Sequence, residues 1–345
     1  MTKPIHKTVK ELGEFGLINR LASLLPVPGI PVVKGIGDDC AVYDMGNHRY
    51  GVVTADMLVE DVHFSRTFAS AVDIGWRAMA CNLSDVASMS AIPRMAVISL
   101  GLPGNTPVEW VEDLYRGMQE CAGRDACVIV GGDTATSEKI LINITVLGDT
   151  EQEHISYRAG AKVGHKIIVT GDLGASGAGL WVLMNPSVPV PFETDYIRLR
   201  HLRPEPRVQA GLWFGQQSGH GALTDSSDGL ARDLLNLSEQ SKVGFRIYTD
   251  KIPIHHQTRD VCRLSGVEPL MMALNGGEDY ELVMTAPGDV AEQWASFLTQ
   301  QFNVPATVIG DVCGSESGIA LIYPDGHEEP LHTVGYQHFS GDNHE

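Results

Sequence analysis

A short acidic turn, T-D-S-S-D-G-L, constrains this chain more than any other stretch of its sequence. Asp225 and Asp228 bracket Ser226 and Ser227, Gly229 follows at once, and leucines at helical spacing come next. The pattern predicts a strand end or turn that presents two carboxylates and then enters a helix. Such a turn suits Mg²⁺, which takes oxygen ligands and is usually held by one or two carboxylates together with substrate phosphates. The same residues would also suit an ordinary helix cap, and this one turn does not decide between the two functions.

Carboxylates recur at turns in four further places along the chain. They are Asp38 and Asp39 in G-I-G-D-D-C, Thr54 and Asp56 near the end of a predicted strand (50–58), Asp133 in G-G-D-T, and Glu278 with Asp279 in G-G-E-D-Y. Gly and Asp are also the commonest residues of ordinary turns, so each turn alone has a structural explanation. The repetition favours a site for metal ions and phosphates, because paired glycines let a phosphate approach the backbone closely.

One further acid lies in a predicted helix over residues 73–90, among small and apolar side chains. Asn82 and Asp85 are three residues apart and therefore share one surface of that helix. The pattern fits an Asp85 that faces a cavity and an Asp85 that faces solvent equally well. His63 follows the strand of Asp56, and a single histidine is more often structural than a ligand.

Length and charge narrow the class of protein. The 345 residues and 43% hydrophobic content suffice for two domains with ordinary cores. The net charge of −18 argues against a nucleic-acid partner, which needs a basic surface. A small anionic substrate would also be repelled unless metal ions inverted the local charge, so phosphate chemistry on this chain points towards Mg²⁺.

The cysteines and the distribution of apolar residues predict the cellular location of the protein. None of the six cysteines forms a C-x-x-C pair or has a histidine at zinc-like spacing, so we expect reduced, mostly buried thiols. The first twenty residues lack the apolar segment of a signal peptide. No run approaches the roughly 18 apolar residues of a membrane span. The sequence therefore predicts a cytoplasmic protein without a membrane partner.

The order of predicted elements indicates two domains, 1–150 and 151–345, with a polar boundary near residues 148–154. Residues 11–25 are predicted to form one helix, 127–130 a short buried strand, and the proline-rich segment 185–207 a loop at the junction. A strand over 166–170 leads into a glycine-rich stretch and a helix. That stretch has neither G-K-[ST] nor G-x-G-x-x-G, so a structural function is favoured over anion binding.

Taken together, the acidic turns are typical of phosphoryl transfer. Carboxylates spread over both halves, with glycines that expose the backbone, supply positioning and charge neutralisation, which are most of what this reaction requires. The sequence has no G-x-S-x-G nucleophile motif and no kinase catalytic loop.

At this level of detail the sequence resembles the thiamine-monophosphate kinase family, within the superfamily of aminoimidazole ribonucleotide synthetase, selenophosphate synthetase and hydrogenase maturation factor E. The matching stretches are G-E-F-G-L-I (13–18), G-I-G-D-D-C-A (35–41), T-A-D-M-L-V-E-D-V-H-F (54–64), N-L-S-D-V-A-S-M (82–89), G-G-D-T (131–134), R-A-G-A-K-V-G (158–164), H-L-R-P-E-P-R (201–207), D-S-S-D-G-L (225–230), G-G-E-D-Y-E-L (276–282) and G-Y-Q-H-F (335–339). They follow in family order over nearly the whole chain.

The resemblance implies a reaction, its co-substrate and a fold. The reaction is the ATP-dependent phosphorylation of thiamine monophosphate to thiamine diphosphate, the last step of thiamine diphosphate biosynthesis, by direct in-line transfer assisted by several Mg²⁺ ions. The implied fold is α/β (α+β) with two domains: an N-terminal sheet-plus-helices domain that forms a barrel in a homodimer, and a C-terminal α/β sandwich. ATP would lie between the domains.

The resemblance also implies a function for individual residues. The implied metal ligands are Asp38, Thr54, Asp56, Asp85, Asp133, Asp225 and Asp228, of which Asp85 and Asp228 are the implied catalytic residues. The implied ATP contacts are Tyr115, Gly132, Asp133, Arg158 and Ser227. The implied contacts of the thiamine substrate are His63, Glu278 and Tyr336. Arg158 could bind phosphate through its planar fork, and Tyr336 could stack on a cationic or aromatic ring.

Two positions depart from the family pattern, and three other classes of protein compete with it. Ala55 stands where relatives often have a second hydroxyl, and Asp61 stands where glycine is usual.

The maturation factor works through a C-terminal cysteine, which this chain lacks, and selenophosphate synthetase needs an N-terminal cysteine or selenocysteine, whereas the first cysteine here is Cys40. A nucleotide-binding regulatory protein is disfavoured because the acidic set is intact.

Overall fold

The computed structural model describes residues 8–25 and 31–331, and the amino-terminal half is built on one sheet. The strands of this half are β1 (Val32–Lys34), β2 (Ala41–Gly46), β3 (Arg49–Val59), β4 (Ile92–Leu102), β5 (Val128–Thr136) and β6 (Leu141–Glu151), and its helices are α1 (Val9–Leu12), α2 (Glu14–Ala22), α3 (Ala71–Ser88) and α4 (Val108–Gly123). The six strands lie in the order β1-β2-β3-β6-β4-β5. Only β4 and β5 pair in parallel among these described strands.

The carboxy-terminal half is built on a second sheet. Its strands are β7 (His165–Thr170), β8 (Leu223–Asp225), β9 (Gly244–Tyr248), β10 (Leu282–Pro287), β11 (Ala306–Cys313), β12 (Ile319–Ile322) and β13 (Glu328–Pro330). Its helices are α5 (Ala175–Met184), α6 (Asp195–Leu202), α7 (Val208–Gly215), α8 (Leu230–Ser241), α9 (His256–Ser265), α10 (Pro269–Asn275) and α11 (Ala291–Phe302). The strand order is β13-β12-β9-β11-β7-β10-β8. The predicted α/β fold with two domains is confirmed, while the boundary between 150 and 151 stays a prediction.

Within the described part of the chain, helices cover only one face of the first sheet. Along β6 the side chains of Ile142, Ile144 and Val146 are buried, and those between them are half-buried, because successive residues of a strand point to opposite faces. Strands β3 and β4 follow the same alternation. The uncovered face carries Met57 (54% exposed) and Met95 (42% exposed). Over the described residues neither sheet closes on itself, so a barrel would require a second chain.

Helix α3 joins the two halves. Fifteen of its eighteen residues are buried, which leaves it almost no solvent-exposed face. Glycines let its neighbours approach: a side chain at Gly75 would overlap the Leu114 carbonyl oxygen, and one at Gly211 of α7 would overlap that of Ala87. The Trp76 Nε1–H donates to the Pro204 carbonyl at 2.7 Å, which ties the helix to the second half. The sequence predicted this helix to within two residues at each end.

Several element predictions were wrong, each for a local reason. Gly13, with a φ of +70°, ends α1 and begins α2, so residues 11–25 do not form one helix. Strand β5 is an edge strand that runs on to Thr136 and is mostly exposed, because only β4 pairs with it among the described strands. The segment 185–207, predicted to be a loop, contains α6. Helices α9, α10 and α11 were not predicted, since short amphipathic stretches give a weak periodic signal.

Gly117→Ala is expected to lower the free energy of unfolding by about 1–3 kcal/mol, because the added Cβ would overlap the Val72 carbonyl oxygen in the α3–α4 contact. Gly123→Ala, on the same helix, is the control: no atom lies within 4 Å of its added Cβ, and alanine favours helix by about 0.5–1 kcal/mol. Chemical denaturation measures both variants. Equal effects at the two positions would contradict the close helix contact.

Candidate active site

Three carboxylates from separate elements meet at the junction of the two halves. Oxygen atoms of Asp39, Asp85 and Asp225 all lie within 4.8 Å of one another. Asp39 precedes β2, Asp85 lies on α3, and Asp225 ends β8, so both halves contribute to the cluster. Asp39 is 9% exposed and Asp225 is 1% exposed. The fold therefore places like charges together where water screens them little.

The electrostatics of this cluster match a site for a hard cation. Burial raises the pKa of Asp225 to about 7, and the nearby charge of Asp39 adds to the shift. Burial also raises the pKa of Asp85 well above its usual range, with a further contribution from Asp56. Asp39 Oδ2 and Asp225 Oδ1 have no hydrogen-bond partner among the described residues. Buried oxygens without donors are costly unless a cation binds them, and a set of carboxylate oxygens is what Mg²⁺ prefers.

The acidic motif pointed to both Asp38 and Asp39, the resemblance assigned the metal to Asp38 alone, and the structure places Asp39 in the cluster. Asp38 Oδ1 accepts a hydrogen bond from the Arg158 backbone N–H at 3.0 Å, and Asp38 Oδ2, which accepts no hydrogen bond among the described residues, lies 3.4 Å from the Lys34 ammonium group. Asp39 instead accepts from the Arg158 guanidinium, through Nε at 3.1 Å, and from Thr224 Oγ1 at 3.2 Å. Both acids stand in G-I-G-D-D-C, so the motif identified the pair but not which of the two faces the cluster.

Strand β3 adds two of the predicted ligands beside the cluster. The Thr54 hydroxyl donates to Asp85 Oδ2 at 2.6 Å, so Asp85 faces the interior of the site rather than solvent. The Asn82 side chain accepts from the Asp56 backbone N–H at 3.1 Å, which joins the strand to α3. Burial raises the pKa of Asp56 to about 6, and the charge of Asp228 contributes next. The structure thus brings Thr54 and Asp56, which the strand pattern placed on one face, close to Asp85, whose direction the helix pattern had left open.

The acidic turn is held by a second loop, residues 276–281. The Ser226 N–H donates to the Glu281 carbonyl at 2.7 Å, the Glu278 N–H to the Ser227 carbonyl at 2.7 Å, and the Tyr280 N–H to the Ser226 carbonyl at 2.9 Å. Helix α8 begins at Leu230 with Gly229 as its N-cap residue. Neither aspartate of the turn occupies the capping position, which favours the ligand interpretation over the capping one.

The predicted nucleotide contacts on the first sheet lie apart from the cluster. Asp56 aligns with Gly132 across the sheet, through Ile144 and Ile98, so three strand spacings, about 14 Å, separate them. A side chain at Gly132 would overlap the Ile98 carbonyl oxygen, so this position requires glycine. Asp133 is exposed on β5 and is not one of the three clustered carboxylates. Tyr115 is half-buried on α4, and burial raises its pKa.

The predicted substrate contacts are only partly described. His63 accepts from the Val59 N–H through Nδ1 at 3.0 Å, which fixes its ring beside the end of β3. Glu278 forms an ion pair with Arg77 of α3. Asp61 has a φ of +64°, which accounts for the glycine usual at this position in the family. Tyr336 lies outside the described residues.

The glycine-rich stretch before α5 has a structural function. The N–H groups of Gly174 and Ser176 donate to the Asp279 carboxylate at 2.6 and 2.9 Å. A side chain of the protein itself therefore occupies the anion-binding end of this helix, as the missing phosphate motifs had indicated. Burial raises the pKa of Asp279 to about 7.

The arginines of α6 and of the segment that follows it also have a structural function. Arg200 and Arg207 both form ion pairs with Glu281, which is fully buried and also accepts from Thr170 Oγ1 at 2.6 Å. The two arginines hold the pKa of Glu281 below its usual value although burial opposes this. These two arginines therefore hold the loop 276–281 in place through Glu281.

Comparison with known proteins assigns the fold to a class. Residues 37–150 match the family described as AIR synthase related protein, N-terminal domain, and residues 162–322 match the corresponding C-terminal domain. The chain therefore has the fold of the AIR synthase related proteins.

Relatives over the full length narrow the class further. The thiamine-monophosphate kinase of Bacillus subtilis is 36% identical, covering 95% of this chain and 100% of the relative, and that of Aquifex aeolicus is 36% identical, covering 96% and 99%. A solved structure of AaThiL complexed with AMPPCP and TMP aligns with a TM-score of 0.84 and 34% identity, covering 97% of this chain and 99% of that one. The chain belongs to the thiamine-monophosphate kinase family, which confirms the resemblance found in its sequence.

Asp225→Asn is expected to stabilise the protein in EDTA, by an amount that grows from about pH 5 to about pH 8. With a folded pKa of about 7 and an unfolded pKa of about 3.9, wild type loses stability as pH rises through this interval, and asparagine does not titrate. Thermal unfolding at several pH values measures the difference. Asp311→Asn is the control: an ion pair with Lys166 helps to lower the Asp311 pKa, so this variant loses stability at every pH of the series. If the stability of wild type and of Asp225→Asn changed with pH in the same way, the raised pKa of Asp225 in the cluster would be contradicted.

Proposed function

We propose that this protein transfers the γ-phosphoryl group of ATP to thiamine monophosphate, giving ADP and thiamine diphosphate, the last step of thiamine diphosphate biosynthesis. The observation that carries the proposal is the convergence of carboxylates from both halves on one buried site, in a chain of the thiamine-monophosphate kinase family. AMPPCP is an analogue of ATP, and the AaThiL structure with AMPPCP and TMP supports both substrates.

The residues at the junction fit Mg²⁺, which prefers carboxylate oxygen ligands. Those that would hold the ions are Asp39, Asp56, Asp85, Asp225 and Asp228, with Asp38, Thr54 and Asp133 added by the resemblance. When bound, Mg²⁺ would neutralise phosphate charge, which lets an anionic substrate approach another anion. The orphan oxygens of Asp39 and Asp225 support this assignment because they are buried without a donor among the described residues.

The reaction needs no nucleophile from the protein. An oxygen of the thiamine monophosphate phosphate forms the new bond to the γ-phosphorus, and the bond from that phosphorus to the β–γ bridging oxygen breaks to release ADP. Arg158 lies at the edge of the cluster and can bind phosphate oxygens through its planar fork. Ser227 and Gly132 would contact ATP, as the resemblance implies. The chain's own contribution is to position two anions in line.

The thiamine end of the substrate would lie near Glu278. A carboxylate can accept a hydrogen bond from an aminopyrimidine, and the Glu278 side chain is 30% exposed, whereas Asp279 and Glu281 of the same loop are fully buried. His63 would contact the same substrate, and Tyr336 would stack on its ring. These assignments rest on the family resemblance, with the exposure of Glu278 as their structural support.

We also propose a homodimer formed through the uncovered face of the first sheet. That face carries Met57, Met95, Val128 and Val130, which are 54%, 42%, 58% and 56% exposed. An apolar sheet face of this kind marks an interaction surface, and pairing two such faces would bury both.

The six free cysteines support a cytoplasmic location. Over the described residues, the chain contains no helix with the length and apolar character needed to cross a membrane.

Asp228→Asn is expected to reduce turnover at least about 100-fold at saturating Mg²⁺, because it removes one negative charge from the metal site. The assay follows ADP and thiamine diphosphate from purified protein, ATP, Mg²⁺ and thiamine monophosphate, with thiamine and aminoimidazole ribonucleotide precursors as alternative substrates. Equal amounts of both products, dependent on Mg²⁺, are expected from wild type. Binding of ATP without either product would instead favour a regulatory protein, and a wild-type rate in Asp228→Asn would contradict its assignment.

Met57→Lys is expected to convert the dimer to a monomer at micromolar concentration, because it places a charge in the centre of an apolar interface. Sedimentation velocity measures the mass. Val108→Lys is the matched control, since Val108 is also an exposed apolar residue (68%) but begins α4, on the covered side of the sheet. A wild-type chain that sediments as a monomer would rule out the dimer.

A further inference from the structure

An arginine buried in α3 connects the core of the molecule to the loop 276–281. Arg77 is 4% exposed and forms an ion pair through Nη2 with Glu278 Oε1, at the side of the acidic turn. Its Nη1 lies 2.8 Å from His201 Nε2. The family resemblance does not assign Arg77 any function, and the proposed phosphoryl transfer does not use it. A fully buried cation that reaches a partly exposed carboxylate needs an explanation.

The histidine fixes the position of this arginine. Arginine only donates hydrogen bonds, so His201 Nε2 must accept, which places the histidine proton on Nδ1. Nδ1 lies 3.1 Å from the Ser176 hydroxyl and donates to it. Burial and the charge of Arg77 lower the pKa of His201 well below its usual value, in agreement with a neutral ring. The Ser176 N–H in turn donates to the Asp279 carboxylate, beside Glu278.

The loop needs such support because its backbone is strained. Glu278 has a φ of +56° and Tyr280 a φ of +52°, values that side-chain-bearing residues rarely adopt. Asp279 and Glu281 are held by a helix N-terminus and by two arginines. Glu278, the remaining acid of this loop, is oriented by Arg77, which engages Oε1.

We propose that Arg77, locked by His201, is the positioning residue that orients the Glu278 carboxylate for the thiamine part of the substrate. The inference rests on the proposed function, since it takes Glu278 as the substrate contact. Arg77 acts through Glu278 and does not itself touch the substrate. Its rigid attachment to α3 links substrate recognition to the same helix that carries Asp85.

Arg77→Met is expected to raise the KM for thiamine monophosphate about 10- to 100-fold. Without Arg77 the Glu278 carboxylate would move, and a displacement of about 1 Å is enough to weaken its interaction with the substrate by this factor. The KM for ATP changes less than about 2-fold, since Arg77 contacts no predicted nucleotide ligand. Glu278→Gln gives a similar KM, and the double variant is no worse than Glu278→Gln alone, because the two residues act as one unit. Effects that multiply in the double variant, or equal changes in both KM values, would overturn the proposal.

Two further variants separate positioning from general damage. Arg203→Met removes another arginine that bridges the halves, through Asp73 in the first turn of α3, and is expected to leave the KM for thiamine monophosphate unchanged. Ser176→Ala keeps the backbone bond to Asp279 but removes the acceptor of His201. It is expected to raise the same KM by a smaller factor, and it tests the proposal even if Arg77→Met fails to fold. An unchanged KM in Ser176→Ala and Arg77→Met together would refute the positioning function.

Hydrogen exchange gives a readout that does not depend on turnover. The Glu278 and Tyr280 amides donate to carbonyls of the acidic turn, so their exchange reports the order of the loop. Arg77→Met is expected to speed their exchange at least about 10-fold, while Arg203→Met leaves it unchanged. If wild type makes no thiamine diphosphate, the proposed function fails, and this measurement still judges the positioning of Glu278. Unaltered exchange in Arg77→Met would show that the conformation of the loop does not depend on Arg77, which would contradict the proposal.

Discussion

Mutual repulsion among buried carboxylates is the constraint around which the rest of this molecule is arranged. Asp39, Asp85 and Asp225 approach within 4.8 Å, although each pair of like charges opposes the contact. Packing elsewhere must supply the free energy that holds them there, because the described residues offer these carboxylates no attractive partner except Arg158 and a few hydroxyls. Such strain is useful where a cation and a phosphate will bind, since the site is formed before they arrive.

Helix α3 is the element that supplies this free energy. It is buried on nearly every side, lies against the first sheet, and contacts α7 and α6 of the second half. Close backbone contacts at Gly75 and Gly211 make its position rigid. Because Asp85 and Arg77 both project from it, one rigid body sets the position of the acidic cluster and of the substrate loop. The two halves therefore act as a single scaffold for the site.

The acidic residues of the loop 276–281 have two different functions. Its buried acids, Asp279 and Glu281, are neutralised by a helix N-terminus and by two arginines, and serve only to hold the backbone. Two residues with positive φ, at a cost of about 1–3 kcal/mol each, persist because these anchors over-determine the conformation. The remaining acid, Glu278, is left 30% exposed, so one short segment separates structural carboxylates from the carboxylate proposed for recognition.

The sequence by itself determined the family, the α/β class and the acidic turns, because these depend on local patterns: glycine beside carboxylate, a helix rich in small residues, and strands with alternating polarity. Strand periodicity, which is local, also put Thr54 and Asp56 on one face of β3, whereas the helix pattern left the direction of Asp85 open. Only the tertiary structure decided that Asp39 rather than Asp38 joins the cluster, and that Arg77 pairs with Glu278, 201 residues away in the chain. Such choices depend on which side of a turn faces a partner from the other half, and no local pattern carries that information.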